Sequence, residues 1–122
     1  MIVGIGIDLV EIARIAAMLA RWDMRFMAKI FTAEEIAVCN ARTHRAASYA
    51  ARFAAKEACA KALGTGWSDS FSWKDFSIRT AHEGRPLPVL SQRLQSRLGQ
   101  TQIHLSLSHS EHYATAVVIL EN

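Results

Sequence analysis

An alanine-rich stretch at residues 46–62, followed by Gly64 and Gly66, constrains the fold more than any other part of this sequence. Alanine fills nine of these 17 positions, which favours helix and keeps the side chains short enough for other elements to pack closely. Gly64 stands where a left-handed helix cap is usual, and Gly66 lets the next backbone turn without steric cost. The pattern predicts a long, central, buried helix that ends in a glycine turn.

Charged residues are paired along the second half of this predicted helix. Arg52 and Lys56 are four residues apart, and so are Glu57 and Lys61, which places each pair on neighbouring turns. An ordinary ion pair between Glu57 and Lys61 would contribute only about 0.2 to 0.5 kcal/mol. The alternative is a functional site, with a carboxylate and a cation just before a backbone that can approach a ligand. A second carboxylate nearby would favour that alternative.

Residues 2–10 supply a candidate for this second carboxylate. Apolar residues alternate here as in a β-strand, and four of them share one face: Val3, Ile5, Ile7 and Leu9. The other face carries Gly4, Gly6 and Asp8, so two missing side chains leave room for another element or a ligand beside the acid. Asp8 is either that second carboxylate or a cap for the helix predicted to begin around Glu11.

The helix predicted at 11–22 carries a basic stripe on its outer side. If the helix continues far enough, four residues follow one another at i, i+4, i+7 and i+11: Arg14, Met18, Arg21 and Arg25. Such a stripe is either a solvated basic face or a docking surface for an acidic helix, with Met18 as an adaptable apolar contact.

The remaining sequence predicts mostly structural elements. Thr32 and Glu35 form a capping box, residues 75–87 form a hairpin, and leucines at every fourth position predict a short helix that stops at Gly99. A second hairpin at 103–120 places Ser108 and His109 at the end of its first strand. These two residues indicate anion binding or a surface histidine; serine hydrolysis is disfavoured because the nucleophile-elbow signature is absent.

Length and composition limit the class of protein. With 122 residues the chain is expected to form a single domain, residues 1–122, and its apolar runs are far shorter than a membrane span. A formal charge of +3 suits an anionic partner without specifying one. Cys39 and Cys59 fit neither a disulfide framework nor zinc spacing, and the N-terminus lacks the pattern of a secretion signal, so we expect a cytoplasmic protein.

Three blocks in this order resemble one family. They are GIGID at 4–8, FAAKEA at 53–58 with KALGTG at 61–66, and SLSHS at 106–110 with the following Tyr-Ala at 113–114. Together with the Gly-Arg-Pro hairpin at 84–86, they resemble the bacterial holo-[acyl-carrier-protein] synthases, the short, single-domain 4'-phosphopantetheinyl transferases. The resemblance covers essentially the whole chain, although the aromatic loop at 67–73 matches no pattern.

The resemblance implies an α+β fold in which an antiparallel sheet packs against a long central helix. It also implies Mg²⁺-dependent transfer of phosphopantetheine from coenzyme A to a serine of apo acyl carrier protein, releasing adenosine 3',5'-bisphosphate. Asp8 and Glu57 would hold the metal, which commonly binds one or two carboxylates together with water and substrate phosphates. Glu57 would also be a candidate base for the carrier serine, and Lys61 would stabilise charge on the leaving phosphate.

By the same resemblance, coenzyme A would contact Arg52, Gly64, Gly66, Ser108 and His109. The basic stripe of Arg14, Met18, Arg21 and Arg25 would dock the acidic helix of the carrier protein. Members of this size are homotrimers with active sites between subunits, and the short length favours the carrier of fatty acid biosynthesis.

Two other functions remain open. One is the same chemistry on a carrier domain of a polyketide or peptide synthase. The other is a noncatalytic module that binds coenzyme A or RNA through its basic surface. Asp8 and Glu57 argue against the second, because carboxylates without a cation would impair phosphate binding. We therefore expect neither a nucleic acid nor a membrane partner.

Overall fold

The computed structural model describes residues 1–66 and 71–122. Within them the strands are β1 (Ile2–Glu11), β2 (Phe76–Thr80), β3 (Pro86–Leu90), β4 (Gln102–His109) and β5 (Tyr113–Glu121). The helices are α1 (Ile12–Arg21), α2 (Met24–Ile30), α3 (Ala33–Asn40), α4 (Arg45–Leu63) and α5 (Gln92–Leu98). A single 3₁₀ turn, Trp73–Asp75, precedes β2. In these described residues no helix is both long and apolar enough to cross a membrane.

The strands form two antiparallel sheets, one with the order β1-β5-β4 and one made of the β2-β3 hairpin. Helix α4 lies across the inner face of the three-stranded sheet, and most of its alanines are fully buried. The predicted α+β class, with an antiparallel sheet on a long central helix, is confirmed. Both predicted hairpins and the short helix before Gly99 are also confirmed.

Strand β1 touches the backbone of α4 directly. A Cβ atom added at Gly6 would lie 1.8 Å from the backbone oxygen of Ala58, and one at Gly4 would lie 2.3 Å from that of Ala62. Real side chains do not approach backbone so closely, so both positions require glycine. The room that the glycines were predicted to leave is therefore occupied by the helix.

The opposite, outer face of this sheet is apolar along β1 and β5, and its side chains on β1 are exposed. Val3, Ile5, Ile7 and Leu9 are between 50% and 66% exposed. The register pairs Ile5 with Ile119 and Ile7 with Val117, and residues paired across antiparallel strands point to the same side. The aliphatic face predicted for β1 exists, but the core of the single chain lies on the glycine side.

The first helix is shorter than the basic stripe requires. α1 ends at Arg21, Trp22 is its extended C-cap, and Asp23 caps α2 by accepting a hydrogen bond from the backbone N–H of Phe26 at 2.9 Å. The helix predicted at 11–22 is confirmed, but the condition that it continue to Arg25 is not met, because Arg25 belongs to α2. Arg14 and Arg21 are exposed on α1.

Several buried polar groups complete the core. The predicted capping box of Thr32 and Glu35 is confirmed. Both cysteines are unpaired and buried; burial raises the pKa of the Cys59 thiol to about 12, so Cys59 is an uncharged packing residue. Burial also lowers the pKa of Lys56, a shift that the neighbouring Glu35 carboxylate opposes.

Candidate functional site

Asp8 and Lys61 join β1 to α4 at the point where the two elements touch. Lys61 Nζ lies 3.2 Å from Asp8 Oδ1 and also donates to the backbone oxygen of Ile7 at 3.0 Å. The Asp8 side chain is 17% exposed. Asp8 is inside β1, and α1 begins only at Ile12 after Glu11, so the alternative of Asp8 as a helix cap is wrong.

Glu57 lies one turn before Lys61 on α4 and is half-buried. It directly precedes Ala58, whose backbone oxygen Gly6 approaches, while Asp8 follows Gly6 by two residues. The contact between glycine and helix therefore brings two carboxylates and one ammonium group to the same junction of β1 and α4.

This set of donors fits magnesium. Mg²⁺ prefers oxygen ligands and is commonly held by one or two carboxylates, with water and substrate phosphates in its remaining positions. The described residues contain no cluster of three or more His, Cys, Asp or Glu side chains that would form an all-protein cage. A cation at Asp8 and Glu57 would have positions left for water and for phosphate oxygens.

A cavity of about 420 Å³ lies between α4, the β2-β3 hairpin and the end of β4. Three of the predicted coenzyme residues line it: Arg52, Ser108 and His109. Arg42 and His44 line it as well, and the two arginines give this wall its positive charge. An adjoining cavity of about 620 Å³ shares Thr43, His44 and His109, which extends the space available to an anionic ligand.

Arg52 is held rigidly in the wall of the first cavity. The residue is 3% exposed, and its Nη1 donates to Ser48 Oγ at 2.9 Å. Its Nη2 lies 3.5 Å from Thr80 Oγ1, which also accepts from Arg42 Nη2 at 3.3 Å. The buried Arg52 Nε has no hydrogen-bond partner among the described residues. A buried guanidinium held by neutral groups favours an anion beside it.

Sequence reasoning missed Arg42 and Thr80. Arg42 belongs to the connection between α3 and α4, where basic groups at 42, 44 and 45 were a detectable signal. Thr80 offered none, since its place beside two arginines depends on the packing of the β2-β3 hairpin.

The remaining predicted coenzyme residues, Gly64 and Gly66, line neither cavity. Their φ angles are 80° and 61°, in the left-handed region that favours glycine. Among the described residues, no neighbouring atom lies within 4 Å of a Cβ atom placed at either position. The backbone conformation therefore accounts for both glycines. The next residues of the predicted 67–73 loop, 67–70, lie outside the described residues.

The carboxylates and the cavity lie toward opposite edges of the sheet. Asp8 is on edge strand β1, whereas Ser108 and His109 are on edge strand β4, with β5 between them. Neither Asp8, Glu57 nor Lys61 lines the cavity. Two strand spacings amount to about 10 Å, so the single chain brings the predicted residues together as two separate groups.

The predicted docking residues surround an apolar patch. Arg14, Arg21 and Arg25 are exposed, whereas Met18 is partly buried against the core. On α2, Met24 is 61% and Phe26 is 43% exposed. Sequence reasoning missed these two apolar residues because it did not predict a second helix after residue 22.

Comparisons with known proteins agree with this architecture. The model of the 4'-phosphopantetheinyl transferase superfamily matches residues 4–118. The holo-[acyl-carrier-protein] synthase of Koribacter versatilis is 44% identical over 125 residues, which cover all of both chains. A Bacillus anthracis holo-(acyl-carrier-protein) synthase, solved in complex with CoA (3',5'-ADP), has 40% identity and a TM-score of 0.83, with 99% of this chain and 97% of that chain covered. The Neisseria meningitidis enzyme of the same name has 33% identity and a TM-score of 0.90 over the full length of both.

Proposed function

Because the chain belongs to the 4'-phosphopantetheinyl transferase superfamily, we propose that Asp8, Glu57 and Lys61 act on the pyrophosphate of coenzyme A. The reaction is the transfer of 4'-phosphopantetheine from coenzyme A to a serine hydroxyl of apo acyl carrier protein. The observation that carries the assignment of residues is the Lys61–Asp8 contact at 3.2 Å, with Glu57 one helical turn away.

The transfer makes one bond and breaks one. The serine oxygen of the carrier attacks the phosphorus that bears pantetheine, and the bond from that phosphorus to the oxygen of adenosine 3',5'-bisphosphate breaks. The leaving group takes the electron pair, and the serine proton passes to a base. Glu57 is our candidate for this base, directly or through a water molecule. The Lys61 ammonium stabilises the negative charge that develops on the leaving phosphate.

Asp8 and Glu57 are the residues that would hold Mg²⁺. When bound, such a cation neutralises pyrophosphate charge and orients the phosphorus for in-line attack. The chemistry of the donor set supports this, because two carboxylates leave positions open for phosphate oxygens.

We place the nucleotide of coenzyme A in the cavity beside Arg52. The buried guanidinium, Ser108 and His109 supply donors for its phosphates. The left-handed conformations of Gly64 and Gly66 shape the backbone that follows the carboxylates, and we assign that backbone to the pantetheine side of the coenzyme.

We propose a homotrimer in which the carboxylates of one subunit face the cavity of the next. Two observations support this arrangement. The carboxylates and the cavity are toward opposite edges of the sheet in a single chain. The aliphatic outer face of β1 is uncovered, and contiguous apolar surface of this kind marks interfaces between proteins.

We further propose that the carrier protein docks on α1 and α2. Arg14, Arg21 and Arg25 offer charge for an acidic helix, while Met18 and the exposed Phe26 offer apolar contact.

The carrier of fatty acid synthesis is the proposed substrate, since the relatives matched over their whole length bear the name of the acyl-carrier-protein enzyme. Two unpaired cysteines fit the expected cytoplasmic location.

Intact-protein mass spectrometry tests the assignment. Apo acyl carrier protein is incubated with this protein, coenzyme A and magnesium, beside an Asp8→Ala variant shown to be folded. A mass gain of one phosphopantetheinyl group that requires Asp8 is the expected result. If the wild-type protein bound coenzyme A without magnesium and modified none of a panel of carriers, a noncatalytic binding role would replace the proposal.

A further inference from the structure

A buried ion pair lies directly beside the proposed catalytic turn of α4. Lys56 Nζ is 3.0 Å from Glu35 Oε1, and the two side chains are 0% and 1% exposed. The ammonium group also donates to the backbone oxygens of Trp73 at 3.0 Å and Phe76 at 2.7 Å. Since an ammonium group has three donors, these three acceptors use all of them.

The Glu35 carboxylate is equally occupied. Its Oε1 accepts from the backbone N–H of Thr32 at 3.0 Å, and its Oε2 accepts from that of Ile78 at 3.1 Å. The pair therefore satisfies four backbone groups, two N–H and two carbonyl groups, on the start of α3, the 3₁₀ turn and β2. An apolar pair of the same volume would leave all four without partners, so this position requires charge.

The polarity of the pair is also fixed. Its carboxylate faces backbone N–H groups, and its ammonium faces backbone carbonyls. If the two charges were exchanged, the ammonium would face backbone N–H groups and the carboxylate would face carbonyl oxygens. Each of these contacts would then be repulsive. The pair thus defines one arrangement of the segments around it, which is a role that buried ionic groups serve better than general stabilisation.

The 3₁₀ turn places the ring of Trp73 beside the face of α4 that also carries Glu57. Trp73, whose carbonyl Lys56 holds, stacks on Phe53 with ring centroids 5.2 Å apart and an interplanar angle of 26°. Phe53 is one turn before Glu57, so the two share a face of α4. Lys56 is also the residue immediately before Glu57.

We propose that Glu35 and Lys56 are positioning residues that hold the Trp73–Phe53 stack against α4 and thereby fix the orientation of Glu57. This inference rests on the catalytic role proposed above for Glu57. Neither Glu35 nor Lys56 touches the substrate; each acts through the ring and the helical turn that it holds.

Two substitutions test the proposal from different sides. Lys56→Met removes the three hydrogen bonds of the ammonium group, and Trp73→Leu removes the ring while leaving the ion pair and its backbone contacts in place. Both should lower kcat by about ten- to a hundredfold, the effect of misplacing a catalytic group by roughly an ångström. The KM for the carrier should change less than about twofold, because the proposed docking surface on α1 and α2 is not altered.

Tyr49→Phe is the matched control. It removes another contact between α4 and α3, the part-buried hydrogen bond from Tyr49 Oη to Asn40 Oδ1 at 2.8 Å, which lies two turns before Lys56 on α4. Its kcat should equal that of the wild type. A second readout is independent of turnover: with Trp22→Phe and Trp67→Phe in the background, Trp73 is the remaining tryptophan. Lys56→Met should then change its circular dichroism in the long-wavelength tryptophan bands, where tyrosine does not absorb, whereas Tyr49→Phe should not.

The outcomes separate the inference from the function on which it rests. Wild-type kcat in folded Lys56→Met, or in Trp73→Leu if Lys56→Met does not fold, would overturn the positioning role. A drop in kcat as large in Tyr49→Phe would also overturn it, because any weakening of the contact between α3 and α4 would then suffice. A wild-type protein that modified no carrier would instead overturn the proposed function, and with it the role of Glu57.

Discussion

The Asp8–Lys61 pair is available for function because it contributes little to stability. The Lys61 side chain is 54% exposed, and ion pairs in such surroundings contribute about 0 to 1 kcal/mol. A contact this weak is readily exchanged for a ligand. The glycine contact, and not the ion pair, keeps β1 on α4.

Asp8→Asn should therefore separate stability from activity. We expect the free energy of unfolding to change by less than about 1 kcal/mol, whereas kcat/KM should fall about a hundredfold or more because a metal-binding carboxylate is lost. Denaturant unfolding and carrier modification measure the two effects. Glu34→Gln is the control, since Glu34 is an exposed carboxylate on α3 that lines neither cavity. Full activity in Asp8→Asn would exclude Asp8 from the site.

Asp75 predicts a specific pH dependence of stability. Burial raises its pKa, but hydrogen bonds from Arg93, the Ser72 backbone and Ser91 outweigh burial, so the pKa of Asp75 is lowered overall. A lowered carboxyl pKa contributes stability above the unfolded value, near 4, and loses it as pH falls through the folded value. Asp75→Asn should cost about 1 to 3 kcal/mol at pH 7. In urea titrations, the difference in unfolding free energy between the variant and the wild type should shrink below pH 4. A difference that stayed constant with pH would contradict this prediction.

At the scale of elements, the contact between β1 and α4 decides where the carboxylates lie. Two glycines and two alanines let the strand reach the helix backbone, and Asp8 and Glu57 occupy the neighbouring positions. Any change that widens this contact separates the two carboxylates.

Gly6→Ala tests that contact. The new Cβ would start 1.8 Å from the backbone oxygen of Ala58, so strand and helix must move apart. We expect destabilisation of about 3 kcal/mol or more, at the upper end for overpacked cores. Gly99→Ala is the control: it has open space but a φ of 59°, and should cost only about 1 to 2 kcal/mol. If the melting temperature fell equally in both variants, the destabilisation would come mainly from backbone strain and not from overlap of the new Cβ atom with the helix.

The basic surface of α1 predicts how salt affects the reaction. Arg21→Glu should raise the KM for the carrier about tenfold at low ionic strength and leave the KM for coenzyme A unchanged. High salt should shrink the difference by screening. Arg79→Glu, an exposed arginine on β2, is the control and should leave the carrier KM near its wild-type value. A carrier KM insensitive to both salt and Arg21→Glu would exclude α1 as the docking surface.

Sequence patterns predicted the elements better than their contacts. Alanine content and Gly64 predicted α4 and its end, and the alternation of β1 predicted its two faces. The alternation did not show which face meets the helix, because both glycine and aliphatic faces pack well. The end of α1 was predicted, but α2 was missed, although Asp23 is a favourable helix cap.

In the site, too, individual residues were predicted from the sequence but the contacts between them were not. Asp8 and Lys61 were singled out separately, yet their contact joins residues more than fifty positions apart. The cavity residues Arg42 and Thr80 meet only when the β2-β3 hairpin packs beside α4. Residue chemistry was thus readable from sequence, whereas distances between elements required the fold.

At the scale of the whole molecule, the uncovered outer face of the sheet predicts self-association. Ile7→Asp places a charge at the centre of this face, where Ile7 is 63% exposed and pairs with Val117. We expect the variant to sediment as a single 13.5 kDa chain and to lose activity, because each site would lack its partner cavity. Ser96→Asp on exposed α5 should sediment as the wild type does. If the Ile7→Asp variant were still trimeric and active, the subunit interface would have to lie on another surface.

The position of β5 has a consequence for biosynthesis. β5 is the central strand of the sheet and follows all the other elements in sequence, so β1 and β4 have no neighbour to pair with until the ribosome has made residues 113–121. Helix α4 is complete long before then, but the strand that closes its sheet is not. The nascent chain must therefore carry unpaired edges and an aliphatic strand through most of its synthesis, a period in which such chains depend on chaperones.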